Sequence, residues 1–324
     1  MDRMHGISAA DRRLMLRLAV ALLAIFVGLA AFSRLDRFYS HKFFDSTGRA
    51  EWIWPHVRLS RGTPVACFAT RDFDLAPSRY FTRIKIGADP EYTLYFNGRE
   101  IGGRRTGEEY ALDVYDVSAL ARDKGNRIVV ALRSANGVGG LIASVDLSPD
   151  YKNIIPTGSE WRIVRRWNDR LLLQDAPVAA VSAPMLLGRP PIGRWNYLQP
   201  RTVPLALPLR GVVEPHTSFA FETALPDIDI VSGVAVAVSR PTRATAYDFG
   251  PVRGRARVTV AWDEAESRAV RVRFANARAE LMSIEGPVDT FVFAPGEKTV
   301  VDSQLRSFRY VMVYGAHAAV DVLQ

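Results

Sequence analysis

The chain has 324 residues, 48% of them hydrophobic, with one cysteine and a formal charge of +8. One cysteine excludes an internal disulfide, and the roughly 270 residues beyond the N-terminal segment suffice for two domains of ordinary size. The positive charge does not indicate a nucleic-acid partner. Arginines alternate with apolar residues, as in Arg255-Ala256-Arg257-Val258 and Arg271-Val272-Arg273-Phe274, which places them on the solvent face of half-buried strands.

Residues 1–17 form a charged leader in which Arg3, Arg12, Arg13 and Arg17 favour a cytoplasmic N-terminus. Residues 18–33 (LAVALLAIFVGLAAFS) carry no charge. With Leu14 to Leu16 and the stem of Arg17 they reach the ~20 helical residues needed to cross a bilayer core. Ala31-Phe32-Ser33 also has the small-residue spacing of a signal-peptidase site. The long charged leader and the bulky Phe26, Leu29 and Phe32 favour an uncleaved anchor. The expectation is a single-pass protein of the bacterial inner membrane with the bulk of its chain in the periplasm. Residues 34–49, mixed in charge and without a clear period, read as a stalk.

From residue 50 the pattern is that of strands. Tyr80, Thr82, Ile84 and Ile86 alternate with Phe81, Arg83 and Lys85, the period of two of a pleated strand. Tyr92 to Phe96 runs into Asn97-Gly98, a hairpin turn whose two central residues need positive φ. Ile128 to Leu132 and Leu141 to Leu147 are further strands, and Ser118 to Arg122 is a candidate short helix. Cys67, within Val65-Ala66-Cys67-Phe68, reads as a small buried apolar residue.

Residues 151–215 are Pro-rich and form a connector, whose Trp161, Trp167 and Trp195 imply that it packs against a domain. Strand patterning resumes at Phe219 and continues through Val258 to Trp262, Val270 to Phe274, Phe291 to Phe293 and Phe308 to Tyr314. Many short strands without interleaved helices indicate an all-β protein. The expected architecture is two antiparallel β-sandwich, jelly-roll-like domains at 50–150 and 216–322, preceded by one N-terminal transmembrane helix.

Two patches carry a family resemblance. Ala50-Glu51-Trp52-Ile53-Trp54, Tyr92-Thr93-Leu94-Tyr95-Phe96-Asn97-Gly98, Tyr115-Asp116-Val117, Gly125-Asn126 and Gly139-Gly140-Leu141-Ile142-Ala143 together resemble the N-terminal galactose-binding-like jelly-roll module of bacterial α-L-rhamnosidases. Tyr247-Asp248-Phe249-Gly250, Gly254 and Ser307-Phe308-Arg309-Tyr310-Val311-Met312-Val313-Tyr314-Gly315 are similar to the sandwich that precedes the catalytic barrel of those enzymes. Trp161-Arg162 and Arg201-Thr202-Val203-Pro204 fit the linker region between them. In the family the acid and base carboxylates lie on an α/α barrel after the second sandwich, whereas this sequence ends at Gln324. The resemblance therefore implies the fold and sugar affinity, but not hydrolysis.

No catalytic residue is assigned. Glycosidases need two carboxylates about 5–10 Å apart, and Glu108-Glu109 and Asp263-Glu264 read as solvated turn residues. His5, His41, His56, His216 and His317 show no metal-ligand spacing, and no nucleophile elbow or phosphate loop is present. No cofactor is expected. The alternative is a structural calcium ion, with Asp113 and Asp116 contributing.

Sugar recognition needs an aromatic face and a few placed polar groups. The candidate ligand-binding residues are Arg104, Arg105 and Tyr110 in the loop after the hairpin and Asn136 in the loop 134–139, while Trp52, Trp54 and Asn97 are assigned to core and turn. The functional expectation is a membrane-anchored, periplasmic, non-catalytic protein that binds a polysaccharide in surface-glycan assembly, export or capture. Two rivals are a structural subunit that binds another envelope protein and an accessory chain of a rhamnosidase-like hydrolase.

Overall fold

The computed structural model describes residues 9–56, 62–75, 81–105, 111–147, 152–153, 155–173, 176–193, 195, 198–209, 211–231, 234–262, 265–283, 286–315 and 317–324. It divides into two compact units, residues 1–46 and 47–324.

Helix α1 covers Ala9–Thr47. Within it Arg13–Arg34 is long and apolar enough to cross a membrane, and its apolar side chains from Leu14 to Phe32 are exposed. The helix continues through the residues expected to form a stalk. No Gly or Pro interrupts residues 34–47, and the helix stops where Gly48 takes a positive φ of 57°.

The first sandwich is built from β1 (Trp52–Trp54), β2 (Val65–Phe73), β3 (Thr82–Asp89), β4 (Glu91–Phe96), β5 (Arg99–Arg105), β6 (Ala111–Asp116), β7 (Asn126–Ser134) and β8 (Gly140–Leu147). One sheet runs β1-β8-β3-β6 and the facing sheet β2-β7-β4-β5, the strand order of a jelly roll. The Asn97-Gly98 turn has φ values of 51° and 81°. Asn97 also accepts from the Arg127 N–H and donates to Leu120 O. Ser118 to Leu120 form a turn, not a helix; Ser118 Oγ and N–H both bond Asp116, a local alternative to helix propagation.

The segment expected as a connector supplies β9 (Lys152–Asn153), β10 (Arg162–Val164), β11 (Val181–Ser182), β12 (Met185–Gly188) and β13 (Gln199–Thr202). β12 pairs with β1, β10 with β2, and β13 lies parallel to β6. These additions cover β1, whose register shifts between Trp52 and Ile53, and both Trp52 and Trp54 are buried. Trp54 enters the sandwich core, whereas Trp52 is covered by Trp195, stacked at 4.4 Å. Gly139 and Gly140 lie flat against these rings: a Cβ on Gly139 would fall 2.4 Å from Trp54, and one on Gly140 2.8 Å from Trp195.

The second sandwich comprises β14 (Val212–Val213), β15 (Thr217–Val231), β16 (Val234–Val260), β17 (Arg268–Ala275), α2 (Arg278–Met282), β18 (Asp289–Phe293), β19 (Thr299–Val301), β20 (Arg306–Tyr314) and β21 (Ala318–Leu323). β16 serves two layers. Its first half pairs with β15 and β20, its second with β21 and β19, and the ladder shifts between Asp248 and Val252, where Gly250 has φ 67°. Such a bulge bends a strand from one sheet into another. Val258, Val272, Phe291, Val311 and Val320 fill the space between the layers.

The arginines expected on solvent faces divide. Arg257 pairs with Asp321 at a partly exposed position, but Arg273 is buried. The outer face of β17 lies under α2, and the Arg273 guanidinium donates to the carbonyls of Ser283 and Glu280 at the end of that helix, where cations are favoured.

The two sandwiches meet through the outer face of the β2–β7 sheet. Ala66, Phe68, Val129 and Ala131 pack against Val292 and Ala294 beside β18, so β7 is buried on both faces along its whole length. Charged pairs surround this apolar contact. Arg133 makes a two-pronged bond to Glu297 at 2.6 and 2.7 Å, Arg105 meets Asp289 at 2.7 Å, and Arg255 meets Glu100 at 2.6 Å.

Candidate ligand-binding surface of the first sandwich

Successive residues of a strand point to opposite faces, and this separates Arg104 from Arg105 at the end of β5. Arg104 turns toward Asp113 on β6, with Nε 3.0 Å from Oδ2, and its Nη2 donates to Ala111 O at 2.8 Å. The Tyr92 hydroxyl reaches across from β4 and donates to Asp113 Oδ2 at 2.6 Å, lying 3.0 Å from the Tyr115 hydroxyl. Gly102 makes room for that phenol, since a Cβ there would stand 2.6 Å from the Tyr115 ring. From β13, Arg201 donates through Nη2 at 2.8 Å and Nε at 3.1 Å to Asp113 Oδ1.

Asp113 is fully buried while the Arg201 side chain is 51% exposed. Two guanidinium groups against one carboxylate leave a surplus positive charge, and the cluster reaches solvent through Arg201. Burial, then the neighbouring Tyr115 and Asp113, raise Tyr92 well above the ordinary phenol range. Burial pushes Tyr115 up to about 12. Both hydroxyls therefore stay protonated at neutral pH and serve as donors.

Arg105 faces the second sandwich. It bridges Glu91, 3.1 Å from Nε, and Asp289, 2.7 Å from Nη1. These residues, with Pro90, Ala135 and Thr290, bound a cleft of about 180 Å³. Asn136, next to Ala135, accepts from Ser134 Oγ at 2.9 Å and from the Val138 N–H at 3.1 Å, so its carbonyl oxygen shapes the turn. The structure thus brings Arg105 and the turn at residues 134–138 to one cleft and sends Arg104 into a separate cluster. Tyr110 lies outside the described residues, as do Glu108, Glu109, Asp263 and Glu264.

Asp113 and Asp116 do not fit a calcium ion. Asp113 is engaged by arginines, and Asp116, held low by its Ser118 hydrogen bonds, is turned to that serine. Among the described residues no three His, Cys, Asp or Glu side chains converge.

Sequence reasoning missed Asp113 as the centre of the cluster and Arg201 as its outlet. One signal was present: Ala111, Asp113 and Tyr115 share one face of a strand, and an acidic residue on an inward face needs a partner.

No family model and no curated protein matches the chain. Solved structures do. It is similar to an α-L-rhamnosidase from Dictyoglumus thermophilum, at 17% identity and a TM-score of 0.49 over 85% of this chain and 35% of that one. An α-L-rhamnosidase from Streptomyces avermitilis complexed with L-rhamnose matches at 13% identity and TM-score 0.41, over 85% and 44% of the two chains. A lectin from Pleurotus ostreatus in complex with GalNAc matches at 16% identity and TM-score 0.38, over 86% and 79%. The chain spans about a third of the length of the first rhamnosidase.

The buried acids predict an alkaline limit to stability. Burial raises Cys67 from 9.0 to about 12, and Tyr95 and Tyr115 from 10.0 to about 12. Between these values the unfolded chain has released protons that the folded chain retains, so stability falls with rising pH. Chemical denaturation should give a constant midpoint up to about pH 9 and a steady decline from there to pH 12. A midpoint unchanged at pH 11 would contradict the burial of these groups.

Proposed function

We propose that the chain is a membrane-anchored protein of the bacterial envelope whose periplasmic sandwiches bind a polysaccharide without hydrolysing it, in surface-glycan assembly, export or capture. The observation that carries this reading is the Arg104–Asp113–Arg201 cluster with its two tyrosine hydroxyls. It holds a surplus positive charge that reaches solvent through Arg201 at a sheet edge, beside the strand end that leads into residues 106–110. Arg105, Tyr110 and Asn136 complete the proposed surface. Binding rather than hydrolysis is supported by the cleft carboxylates: Glu91 and Asp289 are both held by Arg105, which leaves neither free for acid–base work. The apolar length of α1 supports the anchor.

The test uses the full-length chain in detergent against neutral and acidic glycans. Millimolar or tighter binding, weakened several-fold in Arg201→Ala with the melting temperature lowered by no more than a few degrees, is expected, together with no rhamnose release from aryl-rhamnosides. No binding to any glycan, with a second envelope protein retained in stoichiometric amount, would replace this reading with the structural-subunit one.

A further inference from the structure

A second cleft, of about 640 Å³, lies where residues 167–169 meet the turn at residues 296–299. Its volume falls within the ~300–1,000 Å³ of small-ligand sites. One wall is Trp167. Its indole packs on Phe68 with centroids 5.1 Å apart and donates Nε1–H to Asp169 Oδ1 at 3.1 Å. The Trp167 N–H donates to Pro295 O at 2.8 Å, and Asn168 Oδ1 accepts from the Arg170 N–H at 2.9 Å. The opposite wall is equally restrained: Glu297 N–H donates to Ala294 O, Ala294 N–H to Glu297 Oε2, and Val260 N–H to Lys298 O. The walls approach so closely at Gly296, φ 76°, that a Cβ there would sit 3.3 Å from both Trp167 O and the Arg166 side chain.

These bonds use Asp169 Oδ1 and Asn168 Oδ1 and, at Lys298, only the backbone carbonyl. The Asn168 amide nitrogen, Asp169 Oδ2 and the Lys298 ammonium have no hydrogen-bond or ion-pair partner among the described residues, and Asn168, Asp169 and Lys298 are all exposed. An aromatic ring, an amide donor, a carboxylate acceptor and one cation, held on rigid walls, suit a ring with a C–H face, several hydroxyls and one anionic group.

We propose that this cleft is a glycan-contact site for a hexuronate unit: Trp167 supports the pyranose ring, Asn168 and Asp169 take hydroxyls, and Lys298 meets the carboxylate. The proposal rests on the reading that the chain binds a glycan, and adds a position and a ligand class that the Asp113 cluster does not supply.

The probes are a hexuronate oligosaccharide and a neutral hexose oligosaccharide of equal length, titrated calorimetrically into the full chain in detergent. Lys298→Ala should weaken hexuronate binding about fivefold, the scale of one exposed ion pair, and leave neutral-sugar binding unchanged. Added salt should reduce the difference. Asn168→Ala should weaken both ligands. Trp167→Phe, which retains an aromatic contact to Phe68, tests stacking without emptying the core. If the wild type binds neither probe, the broader reading fails and this site with it. If hexuronate binding responds to Arg201→Ala but not to Lys298→Ala or Asn168→Ala, glycan binding stands and this site is overturned. Equal loss of both ligands in Lys298→Ala would overturn the hexuronate assignment.

Discussion

Replacing Arg133 by methionine should destabilise the protein by about 3–5 kcal/mol, the penalty for leaving one member of a buried ion pair uncompensated. Arg133 and Glu297 have side chains only 8% and 7% exposed, and they join the two sandwiches. Burial alone would lower the Arg133 guanidinium, yet Glu297 outweighs it and holds the group above its ordinary value. In Arg133→Met the Glu297 carboxylate keeps the bond from the Ala294 N–H but loses both guanidinium bonds. Thermal unfolding should shift down by roughly 10 °C at a few degrees per kcal/mol. Adding Glu297→Gln should restore part of the loss, because the carboxylate left without its guanidinium is then neutral. The more exposed pair Arg309–Asp248 provides the control: Arg309→Met should leave the melting temperature nearly unchanged. A small effect for Arg133→Met would mean that the interface admits water.

Asp113→Ala should have an effect of similar size, again about 3–5 kcal/mol. It removes the carboxylate that balances the Arg104 guanidinium, only 16% exposed, and the acceptor of the Tyr92 hydroxyl. Asp113→Asn preserves the shape and an acceptor oxygen and should lose only about half as much, since hydrogen bonds to charged groups contribute ~1.5–3 kcal/mol against ~1 for neutral ones. The two variants separate charge from hydrogen bonding in urea titrations. If both unfold to the same extent, packing around β6 matters more than the carboxylate.

Local patterning made much of the first sandwich legible. Alternation in Thr82 to Ile86, the Asn97-Gly98 turn and the apolar run of β7 each reflect interactions between close neighbours in the chain. What could not be read were pairings set by distant partners. Residues 199–202 show no strand period and lie exposed, yet they lie parallel to β6 because that edge offers unpaired backbone groups. Arg255-Ala256-Arg257 alternates like a solvent-facing strand, but Glu100 from the other sandwich covers Arg255. The candidate residues show the same limit. Arg104 and Arg105 are indistinguishable as neighbours in sequence, and only the sheet's two faces give one to Asp113 and the other to Asp289.

The late arrival of β12 and β13 has a consequence for synthesis. β1 finds one neighbour only when residues 185–188 have emerged, and β6 acquires its outer strand at residue 199 or later. Until then the Trp52 ring lacks its stacked cover and the edge of β6 stands open, a template for pairing with other chains. A nascent chain held near residue 150 would carry an unfinished and adhesive sheet, and the long sequence separations make its completion slow. Translation stalled at that point, or a truncation placed there, should therefore yield aggregate where the full chain yields a completed sandwich.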